Sequence, residues 1–194
     1  LNGTRPSWGR LRFLAQLRLS YLVCEGKDGL YVLDQHALAE RVAYTKLLAQ
    51  YRSRSTASQT LLFPVIMELL PKEVALVESH TALFLELGLD VRPRGPDRVS
   101  VHSTPRLLPR ASPDGLVRDL LLELGQQGAN AAPAAVERAI AVMACHGSLR
   151  MGEALTAQQA QSLLGALEEV DMTTGCAHGR PVLATMRFDD LERQ

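Results

Sequence analysis

From Leu11 onward the chain sets apolar residues in short runs separated by turn residues. Leu11–Leu17, Ser20–Glu25 and Leu30–Leu33 read as strands. The run Gly26-Lys27-Asp28-Gly29 between the last two predicts a hairpin, because glycine supplies the positive φ of tight turns without steric cost. The apolar period then lengthens. Ala37, Leu38, Val42, Ala43, Leu47 and Leu48 fall largely on one stripe and predict a helix from His36 to Tyr51. Beyond it, Leu61–Leu70 is strand-like, and Pro71-Lys72-Glu73 opens a helix to Leu87, with proline in the first turn where its missing N–H is not needed.

Leu89–Pro93 and Arg98–His102 predict a hairpin around Arg94-Gly95-Pro96-Asp97. Ser112 caps a helix over Gly115–Leu124, and Ala134–Cys145 is a further helix. Thr156 and Gln159 form a capping box for a helix running to Val170. Pro181–Met186 is a short strand, and Asp189–Arg193 starts a last helix. Residues 1–10, with Gly3, Pro6 and Gly9, read as an irregular lead-in. Ser53–Gln59 and Gly125–Pro133 are poor in large apolar residues and read as linkers. The expected class is α+β, two mixed subdomains: a host of residues 1–55 and 140–194, interrupted by an insert over 56–139.

Composition narrows this picture. Hydrophobic residues make up 46% and charged residues 22%, the balance of a soluble globular chain, while 5% aromatic leaves the core to Leu, Val and Ala. No apolar run approaches the ~20 residues of a membrane span, and no membrane association is expected. The sequence opens on Leu1 with no secretory leader and reads as a fragment of a longer protein. Lys plus Arg equals Asp plus Glu at 21 each, which argues against a free-standing, strongly basic nucleic-acid binder. Contact with DNA would use a local patch, partners or another domain. Cys24, Cys145 and Cys176 are odd in number and widely spaced, unlike a disulfide framework, so a reducing cytoplasm is expected.

Two clusters carry candidate metal chemistry. In Asp34-Gln35-His36-Ala37-Leu38-Ala39-Glu40, a carboxylate ends a strand, and an imidazole and a second carboxylate follow about 40° apart on one helical face. Such groups can converge on divalent cations; the plainer alternative is an acidic helix cap beside a surface His–Glu pair. In Gly175-Cys176-Ala177-His178-Gly179, a thiolate and an imidazole two positions apart on a glycine-flanked loop suit zinc, or form a half-buried cysteine beside a turn histidine. Together the five donors exceed what one structural zinc needs and suit a two-cation site that activates water and neutralises a phosphodiester. Cys145, in Ala144-Cys145-His146, is either packing or a neighbour of that site. Finally Gln59-Thr60-Leu61-Leu62-Phe63-Pro64 sets a polar anchor, aliphatic and aromatic side chains and a proline in a row, as in segments that dock into a partner's apolar pocket, or as in a strand entering its own core.

In order and spacing, these motifs resemble the C-terminal dimerisation and endonuclease domain of MutL-type DNA mismatch-repair proteins. That family's signature is Asp-Gln-His-Ala, two residues, Glu, four residues, Glu. It matches here from Asp34 to Glu40 and has Thr45 at its last position. The Ala-Cys-Arg element resembles Ala144-Cys145-His146, and Cys-Pro-His-Gly-Arg-Pro resembles Cys176-Ala177-His178-Gly179-Arg180-Pro181. A final Phe-x-Arg element is expected after Arg193. The resemblance implies that the host is the dimerisation subdomain and the insert a regulatory one. It implies catalytic Asp34, His36 and Glu40, and a metal site of these with Cys176, His178 and nearby Cys145, holding zinc or manganese, with magnesium as an alternative. It also implies single-strand nicking of double-stranded DNA, homodimerisation, and contact with the replication sliding clamp through Gln59, Leu61, Leu62, Phe63 and Pro64. The mismatch-recognition protein MutS is a further implied partner, ATP is bound only by a separate N-terminal domain, and the location is cytoplasmic, at the nucleoid. The competing expectation is a non-catalytic dimer platform that recruits the clamp around a structural metal.

Overall fold

The computed structural model describes residues 7–126, 133–147, 153–170 and 183–193. Contacts divide the chain into two units, Leu1–Val42 with Leu149–Gln194, and Ala43–Ser148. These cuts fall within a helix and after another, whereas the linker compositions put them at 55 and 140. The α+β class holds: both sheets are antiparallel throughout, and helices pack on them.

The first unit is built on a four-stranded sheet of order β1-β2-β3-β7, from β1 (Arg12–Leu17), β2 (Tyr21–Glu25), β3 (Gly29–Asp34) and β7 (Leu183–Arg187). The Gly26–Gly29 hairpin forms, Gly26 donating to the Gly29 carbonyl at 2.9 Å, but neither glycine takes the positive φ expected of it. The close approach of the Tyr31 ring to Gly26 and of the Met186 carbonyl to Gly29 is what leaves no room for a side chain there. Alternation in β2 and β3 turns Leu22, Cys24, Tyr31 and Leu33 inward. They meet Leu38 and Val42 of α1 (Gln35–Arg52), and Ala160 and Leu164 of α6 (Ala157–Ala166). The capping box of α6 is present, Thr156 Oγ1 accepting from Gln159 N at 3.2 Å and Gln159 Oε1 from Thr156 N at 2.9 Å. Its last turn tightens into a 3₁₀ turn, Leu167–Glu169, short of the expected end at Val170. The lead-in also departs from expectation: Trp8–Arg10 is a 3₁₀ turn, and Trp8 is buried in this core. The short helix α7 (Phe188–Glu192) follows β7.

The second unit holds a three-stranded sheet of order β4-β6-β5, from β4 (Ser58–Glu68), β5 (Asp90–Pro93) and β6 (Arg98–Pro105). Val91, Val99 and Val101 point into a core shared with Val117, Leu120 and Leu124 of α4 (Pro113–Gly125), and with Ile140 and Met143 of α5 (Pro133–Gly147). Ser112 Oγ caps α4 through Gly115 N. The helix expected over Pro71–Leu87 is instead two, α2 (Pro71–Ser79) and α3 (Thr81–Glu86). Ser79 Oγ donates to the Leu76 carbonyl, Thr81 Oγ1 to that of Val77, and the His80 ring lies 3.0 Å from the Leu76 carbonyl. Side chains that take the helix's own acceptors offer the backbone an alternative to its ladder, and the helix breaks there. No helix among the described residues is long and apolar enough to cross a membrane.

Candidate functional site

The junction of β3 and α1 gathers the first candidate cluster. Asp34 ends β3, and its Oδ1 accepts from the backbone N–H groups of His36 and Ala37, both at 3.0 Å. The carboxylate therefore caps α1, satisfying two of the donors that a helix start leaves open, at the positive end of its dipole. One turn on, His36 Nε2 stands 3.1 Å from Glu40 Oε1, and Glu40 is buried at 8% exposure. The expected convergence of the two side chains on one helical face is thus observed, with the acidic cap present as well. Gln35, between Asp34 and His36, is fully buried, and its backbone N–H reaches the Ser20 carbonyl at 2.9 Å.

Among the described residues no three His, Cys, Asp or Glu side chains form a group able to hold a metal ion. Cys176 and His178 lie outside the described residues. Cys145 is exposed near the end of α5, in the second unit. Its neighbour His146 stands where the family element has arginine; its Nε2 lies 2.6 Å from Asp119 Oδ2, linking α5 to α4. The other thiol among the described residues, Cys24, is buried, and desolvation pushes it up to about 11.

The Gln59–Pro64 segment lies in β4, on the edge of the second sheet. Thr60 faces Ser103 and Val65 faces Val101, so Leu61 to Pro64 are opposed by His102 alone. Proline has no N–H to give the ladder, and the strand bulges at this point. Leu62 is 89% and Phe63 78% exposed, Gln59 and Pro64 are exposed too, and Leu61 is half-buried. A strand entering its own core would bury these two large side chains. This one presents them to solvent.

Residues 14–155 match the family model of the MutL C terminal dimerisation domain. The chain belongs to this family. The DNA mismatch repair protein MutL of Phenylobacterium zucineum is 37% identical over 92% of this chain and 29% of its own length. Those of Rhizobium etli and Caulobacter vibrioides are 35% and 34% identical over the same share, covering 30% and 28% of their lengths. This MutL C-terminal domain thus spans under a third of the relatives it matches.

Three features of the domain escape motif reading. The β1–β2 hairpin turns at Arg18 and Leu19, with φ of 52° and 51°, without the glycine or asparagine that marks such turns. Gln16 joins β1 to Gln35 and to the backbone of Glu153 and Leu155. The outer face of the first sheet carries Leu17, Tyr21 and Met186, exposed by 51%, 41% and 51%. Register puts Leu17 opposite Tyr21, Val23 opposite Val32, and Leu30 opposite Met186, so the apolar residues run across the sheet. Only alternation combined with strand order could have disclosed that face.

Proposed function

We propose that this chain is the dimerisation module of a MutL protein acting in DNA mismatch repair, and that it pairs with a second copy of itself. The observation that carries this reading is the open outer face of β1-β2-β3-β7, where Leu17, Tyr21, Val23, Leu30, Val32 and Met186 are exposed or half-exposed. Contiguous apolar surface of this kind marks an interaction site, and a symmetric pair buries the same patch on both partners. Sedimentation of the chain and of a Val23→Lys, Val32→Lys variant tests it. A dimer that the charges convert to a folded monomer supports the reading, and a monomeric unsubstituted chain refutes it.

The same domain is proposed to nick one strand of double-stranded DNA with manganese, magnesium or zinc. Asp34, His36, Glu40, Cys176 and His178 would hold the ions. The donor set fits such ions, since carboxylate oxygens and imidazole suit manganese and magnesium, and thiolate with imidazole suits zinc. Sheet register supports the grouping: Leu183 opens β7 opposite Leu33, one residue before Asp34. A bound divalent cation would supply Lewis-acid neutralisation of the phosphodiester and an activated water. Asp34 holds the first turn of α1 in place, and Glu40 orients the His36 ring. Full-length protein carrying Asp34→Asn should lose manganese-dependent nicking of supercoiled DNA and keep its dimer; unimpaired nicking would remove the site from this role.

A non-catalytic platform is the second reading, favoured by the commitment of Asp34 Oδ1 to two backbone N–H groups. Full-length protein that shows no nicking dependent on added cation and on Asp34 would favour it. Under either reading the exposed Leu62–Phe63 bulge is the proposed contact with the sliding clamp, Gln59, Leu61 and Pro64 flanking it. MutS is a further proposed partner, ATP belongs to a separate N-terminal domain, and the site of action is the nucleoid in the cytoplasm.

A further inference from the structure

We propose that Gln16, on β1, is a positioning residue for the first turn of α1; the inference rests on the cation reading given above. Gln16 Nε2 donates to Gln35 Oε1 at 2.5 Å and to the Glu153 carbonyl at 2.8 Å. Its Oε1 accepts from Leu155 N at 3.1 Å. Gln35 sends its own Nε2 to the same Glu153 carbonyl at 2.9 Å. One amide thus bonds to three partners drawn from α1 and from a segment far along the chain.

Gln35 sits between Asp34 and His36, and it is fully buried while they are half-buried. A buried amide held from both sides cannot turn without leaving donors or acceptors unpaired, which is costly away from water. Gln16 therefore sets the rotation of the helix at its first turn, and with it the directions of Asp34 and His36. Chain connectivity adds a second consequence. The chain leaves the first unit along α1 after Val42 and re-enters it at Leu149, shortly before Glu153 and Leu155. Within the first unit, Gln16 ties the outgoing and returning segments together beside Asp34. Among the described residues Gln16 hydrogen-bonds to no candidate ligand side chain, and it acts through Gln35. Partners of this outer kind typically change metal affinity 10–100-fold when removed.

The test titrates manganese chloride into the 194-residue chain and into Gln16→Leu and Thr156→Ala variants, by calorimetry. Thr156→Ala removes the α6 capping box in the same unit and leaves the amide network alone, so it controls for lost stability. Hydrogen exchange at the His36 and Ala37 amides, which Asp34 caps, gives a metal-free readout. Gln16→Leu should weaken the manganese Kd by about tenfold or more and speed exchange at both amides by a similar factor. Thr156→Ala should leave both within about twofold. If Gln16→Leu fails to fold, Gln16→Glu, which keeps the acceptor for Leu155 and loses both donors, is read in the same way. A wild-type Kd or unchanged exchange in the Gln16 variant overturns the inference, as do equal losses in the control. No manganese uptake by the unsubstituted chain overturns the cation reading and this inference with it; uptake that survives loss of Gln16 overturns the inference alone.

Discussion

Leu183, the first residue of β7, lies directly opposite Leu33, the penultimate residue of β3. The pairing closes the first sheet with a strand from the far end of the sequence and joins that strand to the edge where α1 begins. At the other end of the same pair, Gly29 faces Arg187. A Cβ on Gly29 would run into the Met186 carbonyl oxygen and the Arg187 Cα, which are backbone atoms unable to swing aside. Gly29→Ala should therefore force β7 away from β3 and cost about 1–3 kcal/mol, the usual range for overpacking. Urea denaturation checks it, and an unchanged midpoint would mean that β7 contributes little to the unit's stability.

Asp34 has two separable tasks, and two substitutions tell them apart. Asparagine keeps a side-chain oxygen that can accept from the His36 and Ala37 N–H groups and loses the charge. Alanine loses both. Because asparagine and aspartate cap about equally well and alanine costs ~1 kcal/mol, Asp34→Asn should leave stability nearly unchanged while Asp34→Ala lowers it by about that amount. Denaturant curves in the absence of metal measure this. Equal losses for the two variants would show that the charge, not the hydrogen bonds, matters for stability.

Leu62 and Phe63 bury so little surface that their removal should be silent in the fold. Leu62→Ser with Phe63→Ser is expected to shift stability by no more than about 0.5 kcal/mol, as for surface positions generally. The same variant should abolish retention of the chain on immobilised sliding clamp. Retention at the unsubstituted level would place the contact elsewhere. A large loss of stability would mean that these side chains pack in solution.

Local chemistry made most of the fold legible. Gly26–Gly29, the caps at Ser112 and Thr156, and the stripe of α1 are determined by a few neighbouring residues, and each forms where its signal stands. What was hidden depends on partners remote in sequence. Trp8 sits in a glycine- and proline-rich stretch, and only its place in a buried cluster with residues as remote as Leu164 and Leu167 makes it core. The turn at Arg18 and Leu19 lacks the residues that take positive φ readily, so strand pairing must hold it there. At the site, the spacing of His36 and Glu40 disclosed their pairing. Nothing local in Gln16 marks it as the partner of Gln35, since its bonds reach across to Glu153 and Leu155.

Cys24 carries a pH dependence that follows from burial alone. Its side chain is fully enclosed between the first sheet and its helices, and desolvation raises the thiol from an ordinary value of 9.0 to about 11. Between these values the unfolded chain gives up the proton while the folded chain keeps it. The unfolded state then binds fewer protons, so stability falls as pH rises through this window and is complete below pH 9. The loss attached to this one group is on the order of 2–3 kcal/mol. Tyr31 and Tyr51 are shifted upward as well, by burial first and then by Asp28 and Glu86 respectively, so the total alkaline loss exceeds the cysteine's share. The difference in slope between the unsubstituted chain and Cys24→Ala, measured by urea denaturation from pH 8 to 11, isolates it. At pH 8 the native chain should also resist iodoacetamide at Cys24 and react at exposed Cys145, with Cys24 becoming reactive once urea unfolds the domain. Rapid alkylation of Cys24 in the folded chain, or identical slopes for the two proteins, would mean that the thiol is open to water and that the first core is looser than its packing indicates.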